Sequence, residues 1–219
     1  MAVVSVDHGS ARRIPQWFEE WSVIESEVFD DPPVLRTDRL VLRAITESDG
    51  DALFDIFADD EVTEHYAWDR FTTVTQGHEL AARSVDQRRR HEALRWGLVL
   101  AGSSDIIIGT CGYTRWNTDH RYAIVGYDLN RSYWHRGLMS EALTAVLRWG
   151  FEHLAVHRME ASVLAGNTAS VALLERAGFH REGMQRERVL HRGSFRDLWL
   201  YGLLHREWTA QTTRPPAAG

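Results

Sequence analysis

Residues 133–142 read Tyr133-Trp134-His135-Arg136-Gly137-Leu138-Met139-Ser140-Glu141-Ala142, and they decide how the rest of the chain is read. Before them, Tyr122–Leu129 has the composition of a strand. After them, residues 138–154 repeat apolar side chains at helical spacing through Ala142, Leu143, Val146, Leu147 and Leu154. A glycine therefore stands where a strand gives way to a long amphipathic helix. The first N–H groups of a helix have no partners inside it, and with the helix dipole they form an anion site. Gly137 lets the backbone come close to a phosphate, and Arg136 adds a permanent charge. The stretch is expected to seat a pyrophosphate.

Composition narrows what that pyrophosphate belongs to. A chain of 219 residues with 44% hydrophobic content fits one α/β domain with extensions. The net charge of −6 argues against nucleic acid as the main ligand, which needs a basic face. All 25 basic residues are arginine. Without lysine there is no phosphate-binding loop of the Gly-Lys-Ser/Thr kind and no Schiff-base chemistry. The single Cys111 lies in an apolar run, reads as a buried reduced thiol, and forms no metal-ligand pattern, so no metal is expected. No apolar run reaches membrane-spanning length and no signal-peptide pattern is present, so a cytoplasmic protein without membrane partners is expected.

The remaining elements follow from periodicity. Residues 1–33 read as an N-terminal extension, with Ile14, Trp17, Phe18, Trp21, Ile24 and Val28 forming one helical stripe. That stripe covers either its own domain or a second subunit, so monomer and homodimer both stay open. Residues 35–44 alternate as one strand, and Thr46-Glu47-Ser48-Asp49 resembles a capping box before a short helix through Ala52, Leu53, Ile56 and Phe57. Residues 75–92 read as a helix with Leu80, Ala81 and Val85 inward and Arg88, Arg89 and Arg90 solvated. Strands are expected at 96–100, 106–116, 122–129 and 158–164, a helix at 169–177 ending at Gly178, and a hairpin pair at 179–190 and 194–204. Residues 209–219 read as a disordered tail. The fold class is α/β (α+β), a mixed, mostly antiparallel sheet with helices on both faces.

Five segments in order resemble one family. The stretch 133–142 is similar to the acyl-CoA pyrophosphate loop of the GNAT superfamily of N-acyltransferases. Leu35-Arg36-Thr37-Asp38-Arg39-Leu40-Val41-Leu42-Arg43 resembles the first strand of its RimJ/RimL-like branch, typified by ribosomal-protein N-terminal acetyltransferases. Arg158-Met159-Glu160-Ala161 with Asn167-Thr168-Ala169-Ser170 resembles that branch's fifth strand and the turn after it. Leu174-Glu175-Arg176-Ala177-Gly178-Phe179 with Glu182-Gly183 follows, and then Asp197 with Tyr201-Gly202-Leu203-Leu204 and Glu207-Trp208. The resemblance covers residues 35–208, and residues 34–208 are expected to form one acyl-CoA N-acyltransferase domain.

The resemblance implies acetyl-CoA as co-substrate, held by a splayed strand pair, 122–129 and 158–164. A backbone N–H around Tyr127 to Leu129 would stabilise charge on the thioester oxygen. The amides of Arg136, Gly137, Leu138, Met139 and Ser140 would hold the pyrophosphate, Asn167 the pantetheine arm, and Arg176 the ribose phosphate. Two departures stand out: Met139 fills the usual small-residue slot, and the tyrosine used as general acid by many members falls at Leu174. Ser170 is then the candidate general acid, or else the N-cap of an apolar helix. Glu187 is a candidate base or water-binding group, or else a solvated strand carboxylate. Ile124 replaces the acidic residue often found before Gly126-Tyr127. With no strong base evident, a chain-terminal α-amine of pKa near ~8 suits the site better than a lysine amine near ~10.4. The implied acceptor is a protein or peptide N-terminus. A small amine, such as an antibiotic or aminoacyl compound, and a non-catalytic acyl-CoA sensor are the alternatives.

Overall fold

The computed structural model describes residues 28–212. Most of the predicted N-terminal stripe, from Ile14 to Ile24, and the tail beyond 212 lie outside the described residues. The chain runs through β1 (Leu35–Arg36), β2 (Leu40–Ala44), a 3-10 turn (Glu47–Asp49), α1 (Gly50–Phe57), α2 (Asp60–Thr63), α3 (Val74–Arg89) and β3 (Leu94–Leu100). It continues through β4 (Gly109–Asn117), β5 (Tyr122–Leu129), a 3-10 turn (Arg131–Tyr133), α4 (Leu138–His153), β6 (Arg158–Leu164), α5 (Thr168–Arg176), β7 (His180–His191), β8 (Ser194–Leu204) and α6 (His205–Thr212). The strands form one sheet in the order β1-β2-β3-β4-β5-β6-β8-β7. Every pairing is antiparallel except β5 with β6.

Helices cover both faces. On one face, α4 buries Leu138, Ala142, Leu143, Val146 and Leu147 against Trp96, Cys111, Tyr113, Ala123 and Val125 of the sheet. Each large side chain so buried contributes about 1.5–3 kcal/mol. Tyr113 adds a hydrogen bond from its hydroxyl to the Val146 carbonyl at 2.6 Å. Burial pushes the Cys111 thiol up to about 12, which matches its reading as an inert buried residue. On the other face, Leu53, Ile56 and Phe57 of α1 and Ala81 of α3 pack with Phe71, Val99 and Ile107.

Three local expectations change. The single strand at 35–44 is a hairpin, because Thr37 bonds Leu40 in both directions and turns the chain so that Leu35 pairs with Leu42. Arg88 leaves the solvated arginine run and donates to the carbonyls of Phe29 and Asp30 at 3.0 and 3.1 Å, tying down a segment whose Phe29 is in the core. Helix α6 carries the fold to Thr212, four residues into the stretch read as tail, with Trp208 buried against Phe151.

The feature that positions the site is the end of the β5–β6 pairing. These strands match only at Tyr122↔Arg158, Ala123↔Met159 and Ile124↔Glu160. At the same level β4 carries a bulge, with the register shifting between Tyr113 and Arg115 opposite Val125 and Ile124. A bulge bends and twists its strand pair, and here β5 turns away from β6. Gly126 belongs to the bend, because a Cβ there would stand 2.6 Å from the Thr114 methyl. Beyond Ile124, β5 stays with β4 and β6 stays with β8.

Candidate active site

The gap between β5 and β6 exposes backbone. Asn130 donates to the Ile108 carbonyl at 2.8 Å. By the alternation of an antiparallel ladder, Asp128 and Gly126 also turn their polar groups to β4. Tyr127 and Leu129 therefore point theirs toward the gap. The Leu129 carbonyl accepts from the Trp134 indole at 2.8 Å, which closes the far end.

Across the gap, Asn167 caps α5 by accepting from the Ser170 N–H at 3.0 Å. Ser170 is thus not the cap; its hydroxyl meets the Tyr127 hydroxyl at 2.6 Å. The strand and the helix so bring a hydroxyl pair to the gap from residues 43 positions apart. Burial raises the Tyr127 phenol well above its usual range, so it stays a neutral donor. Leu174, at the position where a tyrosine is often the acid, is fully buried in the core and offers no proton.

At the start of α4, Gly137 takes a left-handed backbone with φ +73° and forms the N-cap. The Leu138 side chain is buried in the core and that of Met139 packs against it while staying partly exposed. Arg39 braces the loop: its guanidinium donates to the Arg136 carbonyl at 2.8 Å and to Glu141 Oε2 at 2.7 Å. Burial tends to raise the Glu141 carboxyl, but hydrogen bonds from Thr37 and Arg39 hold it below the usual range. Glu141 in the first turn suits the helix dipole, and its pairing with Arg39 sets a guanidinium 3.5 Å from where a Gly137 Cβ would stand. Arg136 is exposed and lies over the Tyr133 ring at 5.5 Å.

The other candidates are dispersed. Arg176, in the last turn of α5, donates to the Ala172 carbonyl at 3.1 Å and borders an open cavity of about 560 Å³ with Phe179 and Gln211. Glu187 sits in a bulge on the edge strand β7, its N–H donating to Asp197 Oδ1 at 2.8 Å. It is not brought to the Tyr127–Ser170 pair. Glu160 pairs with Arg158 at 2.7 Å, which also binds Glu182, as a structural network.

Two groups have no counterpart in the sequence reading. One is Arg39, whose bond to Glu141 spans 102 residues. The other is Asp128 on the opposite face of β5, with Arg95 of β3 and Thr110 of β4. Arg95 and Thr110 both donate to Asp128 Oδ2, Thr110 at 2.7 Å. Burial alone pushes this carboxyl up to about 8, and the guanidinium against it works the other way. The available signal was three polar residues inside otherwise apolar strand runs.

Residues 39–180, which hold the splayed parallel pair and the glycine-capped helix, match the family model described as the acetyltransferase (GNAT) domain. The chain belongs to the GNAT acetyltransferase family. An uncharacterized N-acetyltransferase of Bacillus subtilis (strain 168), YoaA, is 33% identical over 172 residues, covering 78% of this chain and 97% of that one. The ribosomal protein uS5-alanine N-acetyltransferase of Escherichia coli (strain K12) is 29% identical over 183 residues, covering 80% and 92%. RimL, a ribosomal L7/L12 alpha-N-protein acetyltransferase solved in complex with coenzyme A, shares the fold, with a TM-score of 0.72 at 20% identity over 78% of this chain and 98% of that one. The chain is thus a GNAT acyltransferase that resembles the RimJ/RimL-like branch at modest identity. GNAT acetyltransferases use acetyl-CoA. Among the described residues no cluster of His, Cys, Asp or Glu has the form of a metal site, and no helix is long and apolar enough to cross a membrane.

Proposed function

We propose that this GNAT enzyme moves the acetyl group of acetyl-CoA to a primary amine, a protein or peptide N-terminal α-amine, by direct attack. The observation that carries the reading is the gap beyond Ile124, with unpaired strand edge on one side and the Tyr127–Ser170 hydroxyls across it. The residues present fit acetyl-CoA: a left-handed glycine at the helix start and two nearby guanidinium groups suit a pyrophosphate. The amides from Arg136 to Ser140 would hold it, the amide nitrogen of Asn167 would meet the pantetheine arm, and Arg176 the ribose phosphate. Acetyl-CoA brings the activated acyl group as a thioester. One of the gap-facing N–H groups, that of Tyr127 or of Leu129, would stabilise charge on the carbonyl oxygen. As the amine nitrogen bonds to the carbonyl carbon and the carbon–sulfur bond breaks, Ser170, backed by Tyr127, gives its proton to the departing sulfur, and the proton shed by the acylated nitrogen returns to the hydroxyl pair through water.

Relatives that acetylate ribosomal proteins support the N-terminal acceptor. A cavity of about 650 Å³ beside β5 supports a second reading, a small amine taken up whole. The test is the purified chain with acetyl-CoA and a panel of peptides with free N-termini, N-blocked lysine peptides and small amines, following free thiol. Thiol release with free N-terminal peptides is expected. Release with small amines alone would favour the second reading. Binding of acetyl-CoA with no release on any acceptor would overturn both.

A further inference from the structure

On the face of β5 away from Ser170, a carboxylate is held that the transfer just described leaves unused. The Asp128 side chain is 2% exposed. Its Oδ2 is fully engaged by Arg95 and Thr110. Its Oδ1 is buried and has no partner among the described residues. A buried acceptor without a donor carries the full cost of its lost hydration, a cost that a donor arriving from a bound molecule would relieve.

Asp128, Arg95 and Thr110 border the cavity of about 650 Å³ that α1 and α3 close over the sheet. Aromatic rings of Phe57, Tyr66, Trp68 and Phe71 line the same space, with Tyr66 and Trp68 centroids 4.5 Å apart. Trp68, 48% exposed, is the most open of the four rings. Ile124, on the same face of β5, is apolar and offers no alternative acceptor.

We propose that Asp128 Oδ1 receives an N–H of the acceptor's amine, and that the aromatic wall takes a bulky apolar group on the neighbouring carbon. The acceptor class is then a primary amine such as the first residue of a peptide with a large apolar side chain. The proposal rests on the transfer reading above and names the acceptor for it. Strand geometry supports the placement. Asp128 lies between Tyr127 and Leu129 in the chain: their N–H groups point in the sheet plane to the gap and its side chain stands on the cavity face, so an amine on Asp128 would approach the carbonyl from that face of the sheet. Because Arg95 and Thr110 occupy only Oδ2, the free oxygen keeps one direction. Arg83 at the cavity's border disfavours a second positive charge and suits the carbonyls that follow in a peptide.

The experiment is equilibrium binding of two probes, L-phenylalaninamide and 3-phenylpropanamide, which differ only in the amine. Wild type is expected to prefer the amine by about tenfold or more, the worth of a buried hydrogen bond to a charged group. Asp128→Asn should erase that preference, while CoA affinity stays within about twofold of wild type. Asp128→Glu, which keeps the charge and the pairing with Arg95, should retain part of it. No preference in wild type, or an undiminished one in Asp128→Asn, overturns the assignment. So does loss of CoA binding together with the preference in both variants, which would mark Asp128 as structural. If the preference behaves as expected but no amine is acetylated, the transfer reading fails and the amine site stands.

Discussion

The two faces of β5 handle polar groups in opposite ways. On the face that carries α4 and α5, Tyr127 meets Ser170 in a neutral hydroxyl pair. On the face under α1 and α3, Asp128 is an ionisable group held by Arg95 and Thr110. A neutral pair is cheap to bury and can hand over a proton. A buried carboxylate is costly unless paired, and this one is paired through a single oxygen. One strand thus places a proton donor and a hydrogen-bond acceptor on either side of the edge it turns to the gap.

The largest expected effect comes from breaking the charged face. Arg95→Leu leaves Asp128 buried without its cation and should cost about 3 kcal/mol of stability in urea unfolding. With burial acting alone, the folded carboxyl sits near 8 and holds a proton that the unfolded chain, near ~4, releases. The folded state then binds more protons, so the variant should lose stability as pH rises from about 5 to about 8. An identical slope in wild type would show that Arg95 does not hold the charge.

Breaking the neutral face comes next. Ser170→Ala should lower kcat about a hundredfold with CoA affinity and the amine KM unchanged. That contrasts with Asp128→Asn, whose effect falls on KM. Turnover equal to wild type would reduce the hydroxyl pair to a packing feature. A smaller effect is expected at the loop that both faces share. Gly137→Val forces a β-branched residue to φ +73° and should weaken CoA binding about tenfold by calorimetry. Unchanged affinity would remove the pyrophosphate from this loop. Smallest is Glu141→Gln, which loosens a half-exposed ion pair with Arg39 and should cost about 0.5 kcal/mol, read as a melting shift of about 2 °C.

Much of the frame was legible because its signals are local. Tyr122–Leu129 and Arg158–Leu164 have the limits that composition suggested, and α4 starts where Gly137 interrupts the apolar pattern. The stretch Asn167-Thr168-Ala169-Ser170 by itself allows two roles for Ser170, cap or acid. The structure gives the cap to Asn167 and frees the serine hydroxyl, a choice that depends on where Tyr127 stands. Arg39 and Asp128 were not legible. Their partners lie 102 residues away for Arg39, and 33 and 18 residues away for Asp128, and no periodicity reports such pairs.

Sequence alone determined the principal strands and helices, the glycine-capped helix start and the family resemblance. Those rest on backbone propensity and on spacing along the chain. The splay itself was implied by the family resemblance; tertiary structure decided that it begins after Ile124, where a bulge on a third strand stands at the same level. It also decided which hydroxyls meet and which carboxylate oxygen is left without a partner. Those depend on strands distant in sequence arriving side by side, and a buried polar group takes its chemistry from whatever arrives next to it.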